Sequence, residues 1–476
     1  MKNKIILGIS SFYHDSSAAL IINGVIIAAA QEERFTRIKH DSSFPINAIK
    51  YVINEWGGEV SSISIISFYE KPFLKFERIL ENVHALAPRG IFNYINIIND
   101  WLGYKLNTSK TIKHHLKKIG INEFKVLYPE HHLSHAASAY YPSPFEESAI
   151  LTVDGVGEWA TTTVMHAKGN SITKLKEIRF PHSLGLFYST FTSFCGFKVN
   201  DGEYKMMGLA PYADPNSNQV LELINIIKTN IILIHQDGSF TLNLEYFYFG
   251  LSQRMYNEEK WFQLFNVKAN NDTSFSIPSI YIQMSCAVQK ITEEVYLKLA
   301  LHTKELTNSS NLCISGGVAL NCVANGVLKK KNIFKNIWIQ PASGDAGSSV
   351  GCALAVHHIY LDEKKDMLST DDAMRNSLLG PSYHDQEISD MLTKKNAIFT
   401  TCPSSQEVAE QVAALLAKGN IVGWFKGRME FGPRALGNRS IFADSRDSTM
   451  QSKINEKVKF REQFRPFAPI VKREDV

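Results

Sequence analysis

The chain has 476 residues, 44% hydrophobic and 21% charged, and its 51 Lys and Arg against 47 Asp and Glu give a formal charge of +4. This length predicts two domains, and so small a charge argues against a nucleic acid or an anionic membrane surface as partner. The six cysteines form no CxxC pair, and no run approaches the roughly 20 apolar residues that cross a bilayer, so we expect a cytoplasmic protein without disulfides or structural zinc.

The first 35 residues predict three short strands. The apolar runs IILGIS, AALIING and VIIAAAQEE follow one another, and the Asn23-Gly24 pair between the last two is a strong hairpin signal. A second copy of this pattern begins at AILTVDGVGEW and has its hairpin turn at Lys168–Asn170. Duplicated strand triplets predict an α/β fold with two similar halves that face each other across a cleft.

The rest of the chain predicts helices, strand-turn-helix units and a second domain. Residues 45–125 and 276–306 have helical patterns, whereas residues 216–275 show no clear period and are interpreted as an insertion. The segment 366–399 is polar and predicts a linker. The predicted domains are therefore 1–365 and 400–476, the second beginning with the helix QEVAEQVAALLAKGN and the strand IVGWFKG.

Two histidines in EHHLSHAASAYY are candidate metal ligands. His131 and His135 are four residues apart in an alanine-rich stretch that favours a helix, so both imidazoles share one face. The zinc-protease pattern HExxH requires Glu where this chain has His132, which argues against a metalloprotease. The alternative is that both histidines simply pack in a core or lie on the surface.

Glycine-rich turns supply further candidates. In TVDGVGEW, Asp154 stands at a strand end beside Gly155 and Gly157, where backbone N–H groups could approach a phosphate and the carboxylate could hold a metal or a hydroxyl. In ISGGVALNCVANG, Gly316 and Gly317 would let a nucleotide lie against a helix N-terminus. The structural alternatives are an Asp-capped β-turn and a tight strand-to-helix connection.

An aspartate and a cation-rich segment complete the candidates. Asp345 in PASGDAGSSVG alone indicates a helix N-cap, but with the two histidines it would give a mixed nitrogen and oxygen set suited to iron or zinc. Near the C-terminus, cations alternate with apolar residues, a pattern that favours a half-buried polyanion site over a solvated face. These cations are Lys426, Arg428, Arg434, Arg439 and Arg446.

Taken in order, six blocks resemble the NodU/CmcH-type O-carbamoyltransferases, which modify antibiotics, nodulation factors and related metabolites. The blocks are GISSFYHDSSAALIINGVIIAAAQEERFTRIKHD, EHHLSHAASAYYPSPFEESAILTVDGVGEW, SLGLFYSTFTSFCGFKVNDGEYKMMGLAPY, CISGGVALNCVANG, PASGDAGSSVGCAL and GRMEFGPRALGNRSIFADSR. They span nearly the whole chain outside the insertion.

This resemblance implies an N-terminal domain of the actin/hexokinase/Hsp70 superfamily followed by a YrdC-like α/β domain. It also implies that carbamoyl phosphate and ATP, with Mg²⁺, form carbamoyl-adenylate in the YrdC-like part. The large domain would then carry a metal ion, iron first and zinc second, and pass the carbamoyl group to a hydroxyl of a small acceptor. The implied acceptors are an antibiotic, another secondary metabolite or a glycolipid, and no oligomeric state is predicted.

The resemblance also assigns residue roles. The implied metal ligands are His131, His135 and Asp345. The implied catalytic residues are His14, Asp15, Asp154, Lys426, Arg434 and Arg439. The implied nucleotide-binding residues are Gly155, Gly157, Gly316, Gly317, Asn321, Arg428 and Arg446.

One departure separates the chain from that family. Its members continue well past RPFAP, whereas this sequence stops at Val476. We therefore expect a partial YrdC-like domain that leaves Trp424, Phe431, Phe464 and Phe467 partly exposed and is cleaved early by protease. The alternatives are a non-catalytic remnant that binds nucleotide and metal, a kinase of the superfamily, which the His/His/Asp set argues against, and a tRNA threonylcarbamoyl transferase, which would lack the Arg-rich block.

Overall fold

The computed structural model describes residues 3–88, 90–101, 106–249, 254–271, 277–365 and 372–475. Its strands in chain order are β1 (Ile5–Ser10), β2 (Ser17–Ile22), β3 (Val25–Gln31), β4 (Ile65–Phe68), β5 (Lys125–Leu127), β6 (Glu147–Val153), β7 (Ala160–Lys168), β8 (Ser171–Arg179), β9 (Ile232–Ile234), β10 (Phe240–Leu242), β11 (Asn311–Ser315), β12 (Asn336–Ile339), β13 (Val422–Phe425) and β14 (Arg439–Phe442).

The helices surround and separate these strands. In chain order they are α1 (Glu33–Thr36), α2 (Ile46–Trp56), α3 (Pro72–Leu86), α4 (Ile91–Asp100), α5 (Thr108–Lys117), α6 (His131–Tyr140), α7 (Leu184–Phe194), α8 (Glu203–Leu209), α9 (Asn218–Asn230), α10 (Glu258–Phe265), α11 (Ser279–Thr307), α12 (Cys322–Lys330), α13 (Ser348–Ala355), α14 (Asp385–Lys394), α15 (Ser405–Ala417) and α16 (Met450–Lys457). Among the described helices, none is long and apolar enough to cross a membrane.

Two five-stranded sheets share one topology. The first has the order β3-β2-β1-β4-β5 and the second β8-β7-β6-β11-β12, and in each the opening triplet is antiparallel while the last two strands are parallel to the first. The predicted duplication of strand triplets is therefore confirmed, and this is the fold of the actin/hexokinase/Hsp70 superfamily. The Asn23-Gly24 turn has φ of 50° and 84°, as a two-residue hairpin requires.

Helices α6 and α13 lie between the two sheets and join them. A Cβ atom added to Gly8 on β1 would lie 1.9 Å from the Ser349 carbonyl oxygen, and one added to Gly351 would lie 1.8 Å from that of Ser134 on α6. Only glycine permits these backbone-to-backbone contacts. One buried cluster combines Ile6 and Ile21 of the first sheet, Ile150 and Cys313 of the second, and Ala139 and Val350 of the two helices. The two halves therefore share a core, which fixes the loops at its edge.

The segment interpreted as an insertion is folded into the second half. Its described residues form α9, β9, β10 and α10, and Val220, Ile227 and Trp261 are buried in one cluster with Leu151 and Phe187. Residues 250–253 and 272–275 of this interpretation lie outside the described part. Short elements with only a few apolar residues each carry little periodic signal, which explains why the sequence did not predict them.

Within the predicted linker, residues 372–381 contribute apolar side chains to the core. Met374 and Leu379 are fully buried in the cluster shared by both halves, while residues 366–371 lie outside the described part. Phe431, expected to be partly exposed, is only 1% exposed, because it packs in the same cluster, and its backbone N–H donates to the Ser377 carbonyl at 2.7 Å. Trp424 and Phe464 are partly buried, whereas Phe467 is exposed.

Between the buried residues Leu379 and Phe431 lies a segment whose side chains pack little against the rest of the protein. No residue from 382 to 429 is buried, and neither α14 nor α15 contributes a buried side chain. Segments with few buried contacts open locally at low free energy and are cut first. We expect limited trypsin digestion of the described regions to begin at Lys394, Lys395 or Lys418, as read by mass spectrometry of the fragments. First cleavage at Lys174 or Lys228 of the second half would contradict this expectation.

Candidate functional site

Helix α6 carries three buried histidines and is fixed at its first turn by a carboxylate. The backbone N–H of His131 donates to the two Glu158 carboxylate oxygens at 3.0 and 3.1 Å, and the N–H of Lys71 donates to Oε1 at 2.8 Å. Glu158 therefore satisfies the first free N–H groups of both α3 and α6. Sequence analysis missed this residue, although an acid after the DGVG turn was the available signal.

Four donor groups meet at one buried point. His131 Nε2 lies 3.2 Å from Asp154 Oδ2 and 3.6 Å from Asp345 Oδ1, while His135 Nε2 lies 3.8 and 3.7 Å from the same two oxygens. The two Nε2 atoms are 3.1 Å apart. All four side chains are buried, and their donor atoms lie within 4.8 Å of one another. The structure thus brings Asp154 to the three residues that the sequence grouped as ligands.

This donor set fits a single divalent metal ion. Ligand atoms about 2.0–2.2 Å from one ion are separated from each other by roughly 3–3.5 Å, close to the separations found here. Two imidazoles and two carboxylates form a mixed nitrogen and oxygen set that iron, zinc and manganese accept. Two buried carboxylates side by side also require a nearby positive charge. The cluster could therefore hold a metal.

The charges within the cluster shift its pKa values in opposite directions. Burial opposes a charge on His131, but the Asp154 contact and the Asp345 charge outweigh it and raise the pKa of His131 to about 9. Burial and the charge of His131 hold the pKa of His135 well below its usual range. Burial disfavours the Asp154 carboxylate, yet the imidazoles keep its pKa well below normal, whereas burial raises the pKa of Asp345. These shifts favour a positive charge on His131 and a neutral His135.

The turn after β6 is held by its neighbours so that Asp154 points into the cluster. The N–H of Gly317 donates to Asp154 Oδ1 at 2.7 Å, and the hydroxyl of Ser183 at the start of α7 donates to the Gly155 carbonyl at 2.6 Å. A Cβ on Gly157 would come within 2.9 Å of the His132 ring. The turn and α6 can approach this closely only because residue 157 has no side chain.

A polar chain connects the cluster to the opposite half of the molecule. His14 Nε2 lies 3.7 Å from Asp345 Oδ2, and its Nδ1 lies 3.0 Å from Asp15 Oδ2. The other Asp15 oxygen is 2.8 Å from His40 Nδ1, and His40 Nε2 is 3.3 Å from Asp201 beside α8. His14 and Asp15 of the β1–β2 loop therefore stand at the same cleft as the His/Asp cluster, and His40 bridges the two halves.

His40 is expected to stabilise the fold in a pH-dependent way. Its contact with Asp15 raises the pKa of His40 above 6.5 against opposing burial, and Asp201 adds to the rise. Because the folded-state pKa is raised, the stabilisation is complete below the unfolded pKa and is lost as the pH rises through the folded value. Urea unfolding of His40→Ala should show a larger loss of stability near pH 6 than near pH 9. An equal loss at both pH values would contradict this role, and His84→Ala, an exposed position on α3, is the control.

Gly316 and Asn321, two of the predicted nucleotide-binding residues, have structural roles in a tight turn and a helix cap. Gly316 has φ of 94°, and a Cβ there would lie 2.3 Å from the Val153 carbonyl oxygen. Asn321 caps α12, since its Oδ1 accepts from the Ala324 N–H at 3.0 Å while its Nδ2 donates to Gln289. Around Gly155, by contrast, nothing lies within 4 Å of an added Cβ. Gly155 thus borders open space in the cleft.

The five C-terminal cations do not form one free cluster. Arg428 pairs with Glu55 at 2.6 Å, and Arg446 pairs with Asp444. The guanidinium of Arg439 donates to four backbone carbonyls and stacks on the Phe425 ring. Lys426 is exposed, and Arg434 donates to the Leu320 carbonyl at 2.9 Å, which brings it to the loop that follows Gly316.

Comparison with known proteins gives matches along most of the chain. Residues 5–354 match the family model "Carbamoyltransferase N-terminus" and residues 413–476 match "Carbamoyltransferase C-terminus". The uncharacterized protein sll1178 of Synechocystis sp. is 49% identical over 99% of this chain and 76% of its own length. Nodulation protein NolNO of Sinorhizobium fredii is 31% identical over 98% of this chain, which spans 63% of that protein.

Solved structures match more distantly. HypF of T. kodakarensis is 15% identical, with a TM-score of 0.35 over 76% of this chain and 48% of that chain. The fold assignment rests instead on the duplicated sheet topology described above. The family follows from the two model matches, of which the N-terminal one alone covers residues 5–354. The chain belongs to the carbamoyltransferase family.

Proposed function

We propose that this chain is an O-carbamoyltransferase that activates carbamoyl phosphate with ATP and passes the carbamoyl group to a hydroxyl of a small acceptor. The observation that carries the proposal is the buried cluster of His131 and His135 on α6 with Asp154 after β6 and Asp345 after β12. Membership of the carbamoyltransferase family indicates that the transferred group is a carbamoyl group. The superfamily fold has a cleft suited to a nucleotide. The four cluster residues would hold the metal, iron in the first place.

The bound metal would act as a Lewis acid toward the carbonyl of the carbamoyl donor. The protein groups around it would orient the reactants. His14 directs Nε2 toward the cluster because Asp15 binds its Nδ1, so this nitrogen lies where it can hydrogen-bond to a reactant held at the cluster. Asp154 is held in place by Gly317, which fixes the cluster before substrate arrives.

The proposed chemistry proceeds in two stages. Carbamoyl phosphate loses its phosphate to water, and the carbamate formed displaces pyrophosphate from ATP to give carbamoyl-adenylate. The acceptor oxygen then bonds to the carbamoyl carbon, its proton passes to a base, and AMP leaves with the bonding electron pair. Mg²⁺ would accompany ATP in the first stage.

The nucleotide would lie in the cleft between the turn at Gly155 and the loop after Gly316. Gly155 borders open space, and the contact of Arg434 with the Leu320 carbonyl brings one C-terminal cation to that loop. The guanidinium of Arg434 could give up its hydrogen bond to the Leu320 carbonyl and bind a phosphate group instead. Lys426 and Arg434 are therefore the proposed phosphate contacts of the C-terminal segment, whereas Arg428, Arg439 and Arg446 are engaged within the protein.

The test is pyrophosphate release by the purified full chain with ATP and Mg²⁺, measured with and without carbamoyl phosphate. We expect release that depends on carbamoyl phosphate, and Arg434→Gln should reduce it by about tenfold or more, as loss of a charge-assisted contact implies. Arg179→Gln, which removes an exposed cation paired with Glu177, is the matched control. Nucleotide binding without any such release would instead favour the non-catalytic alternative.

A further inference from the structure

A cavity beside the metal cluster contains a buried arginine that the proposed chemistry does not use. It has a volume of about 210 Å³ and lies between α3, α4, the turn after Asp154 and the start of α7. Its walls are mainly apolar, and they include Ile79, Phe180, Leu186 and Met255. An apolar lining with a few polar groups is the character of a small-molecule site, and this volume suits a small ligand.

Arg78 of α3 lines this cavity and is 9% exposed. Within the described part of the chain it makes no hydrogen bond or ion pair, its buried Nε has no partner, and its guanidinium lies 5.0 Å from the centre of the Phe180 ring. The two nearby acids are already engaged, since Glu70 pairs with Lys75 at 2.7 Å and Glu158 accepts from two backbone N–H groups, those of Lys71 and His131. A buried guanidinium without an anionic partner is costly, so the cavity suits an anion.

The cavity and the cluster share a wall. Val156, two residues after Asp154, lines the cavity, and so does Leu186, whose N–H donates to the same Ser183 hydroxyl that holds the Gly155 carbonyl. A molecule bound here therefore lies against the turn that positions Asp154.

We infer that this cavity binds the carbamoyl acceptor, and that the acceptor is a small apolar hydroxy acid whose carboxylate is bound by Arg78. That the bound molecule is the carbamoyl acceptor rests on the proposed function, whereas the presence of an anion-binding site in this cavity does not. One guanidinium in apolar surroundings matches a single negative charge, whereas a phosphate dianion would need a second cation, and Lys75 is committed to Glu70. Asn82 and Tyr94, which also line the cavity, offer an amide and a hydroxyl to polar atoms of the ligand.

The experiment compares hydroxyphenylpropanoate with its methyl ester by calorimetric titration of the full chain. The acid carries a carboxylate charge that the ester lacks. The ratio of their affinities therefore measures the contribution of the Arg78 guanidinium to binding. We expect the wild-type protein to bind the acid at least about tenfold more tightly than the ester. Arg78→Met should reduce that ratio to about one or two, and Arg179→Gln, which removes an exposed arginine of β8, should leave it unchanged.

A second substitution guards against misfolding as the cause. Met255→Trp places a large ring in the cavity without touching Arg78's charge, and it should weaken the acid and the ester alike. Equal affinities of the wild-type protein for acid and ester, a preserved ratio in Arg78→Met, or no binding of the acid at millimolar concentration would each overturn the inference. The titration needs neither ATP nor carbamoyl phosphate, so pyrophosphate release without acid selectivity refutes this inference alone, and the reverse result refutes only the proposed function.

Discussion

Replacing His131 and His135 together with alanine is expected to remove the metal from the purified protein. These side chains supply both nitrogen donors of the cluster, and their Nε2 atoms are 3.1 Å apart. Even residues that only orient a metal ligand change affinity by about 10–100-fold when replaced, so the loss of two ligands should exceed about 100-fold. Elemental analysis of wild type and variant after identical purification gives the metal content directly.

The matched control is His166→Ala, which removes a partly exposed histidine of β7 that contacts Glu147. It should retain the wild-type metal content. Circular dichroism must show that the double variant remains folded, because α6 lies in the core between the two sheets. Equal iron and zinc content in the double variant and the wild-type protein would eliminate this cluster as a metal site.

The histidine pair could be recognised from sequence because its geometry is local. Residues i and i+4 of any helix lie on one face, and the alanine-rich stretch made the helix easy to predict. The positions of Asp154 and Asp345 beside the two histidines depend, by contrast, on contacts between residues that are far apart in the chain. They depend on β6 pairing with β11, β11 with β12, and α13 packing against α6, none of which a single sequence pattern specifies.

The strand triplets were also predictable, since alternating apolar runs and turn residues such as Asn23-Gly24 act over a few residues. The role of Glu158 was not, because its partners are the starts of two helices, at Lys71 and His131, that are brought to it only by the fold. The same limit applies to Arg428, whose partner Glu55 lies 373 residues away in the chain. Composition indicated a cation-rich segment but could not show which guanidinium groups the rest of the protein neutralises.

Gly157→Ala is expected to destabilise the protein and weaken its metal site, while Gly155→Ala does neither. A Cβ at residue 157 would lie 2.9 Å from the His132 ring and 3.0 Å from the Cβ of His131, so α6 or the turn must shift. Neither glycine has a positive φ, so alanine is compatible with the backbone at both positions. The two positions differ only in the space available for the added methyl group. Overpacking of this kind costs about 1–3 kcal/mol of the free energy of unfolding.

The same shift would separate the His131 and Asp154 donor atoms, now 3.2 Å apart, and should lower metal affinity by about tenfold or more. Urea unfolding and competition with a metal chelator measure the two effects. At Gly155 an added Cβ has no atom within 4 Å, so Gly155→Ala should match wild type in both measurements. If the two variants behave alike, the close contact between the turn and α6 does not fix the cluster. If only Gly157→Ala loses metal affinity and stability together, the backbone of this turn determines where Asp154 stands.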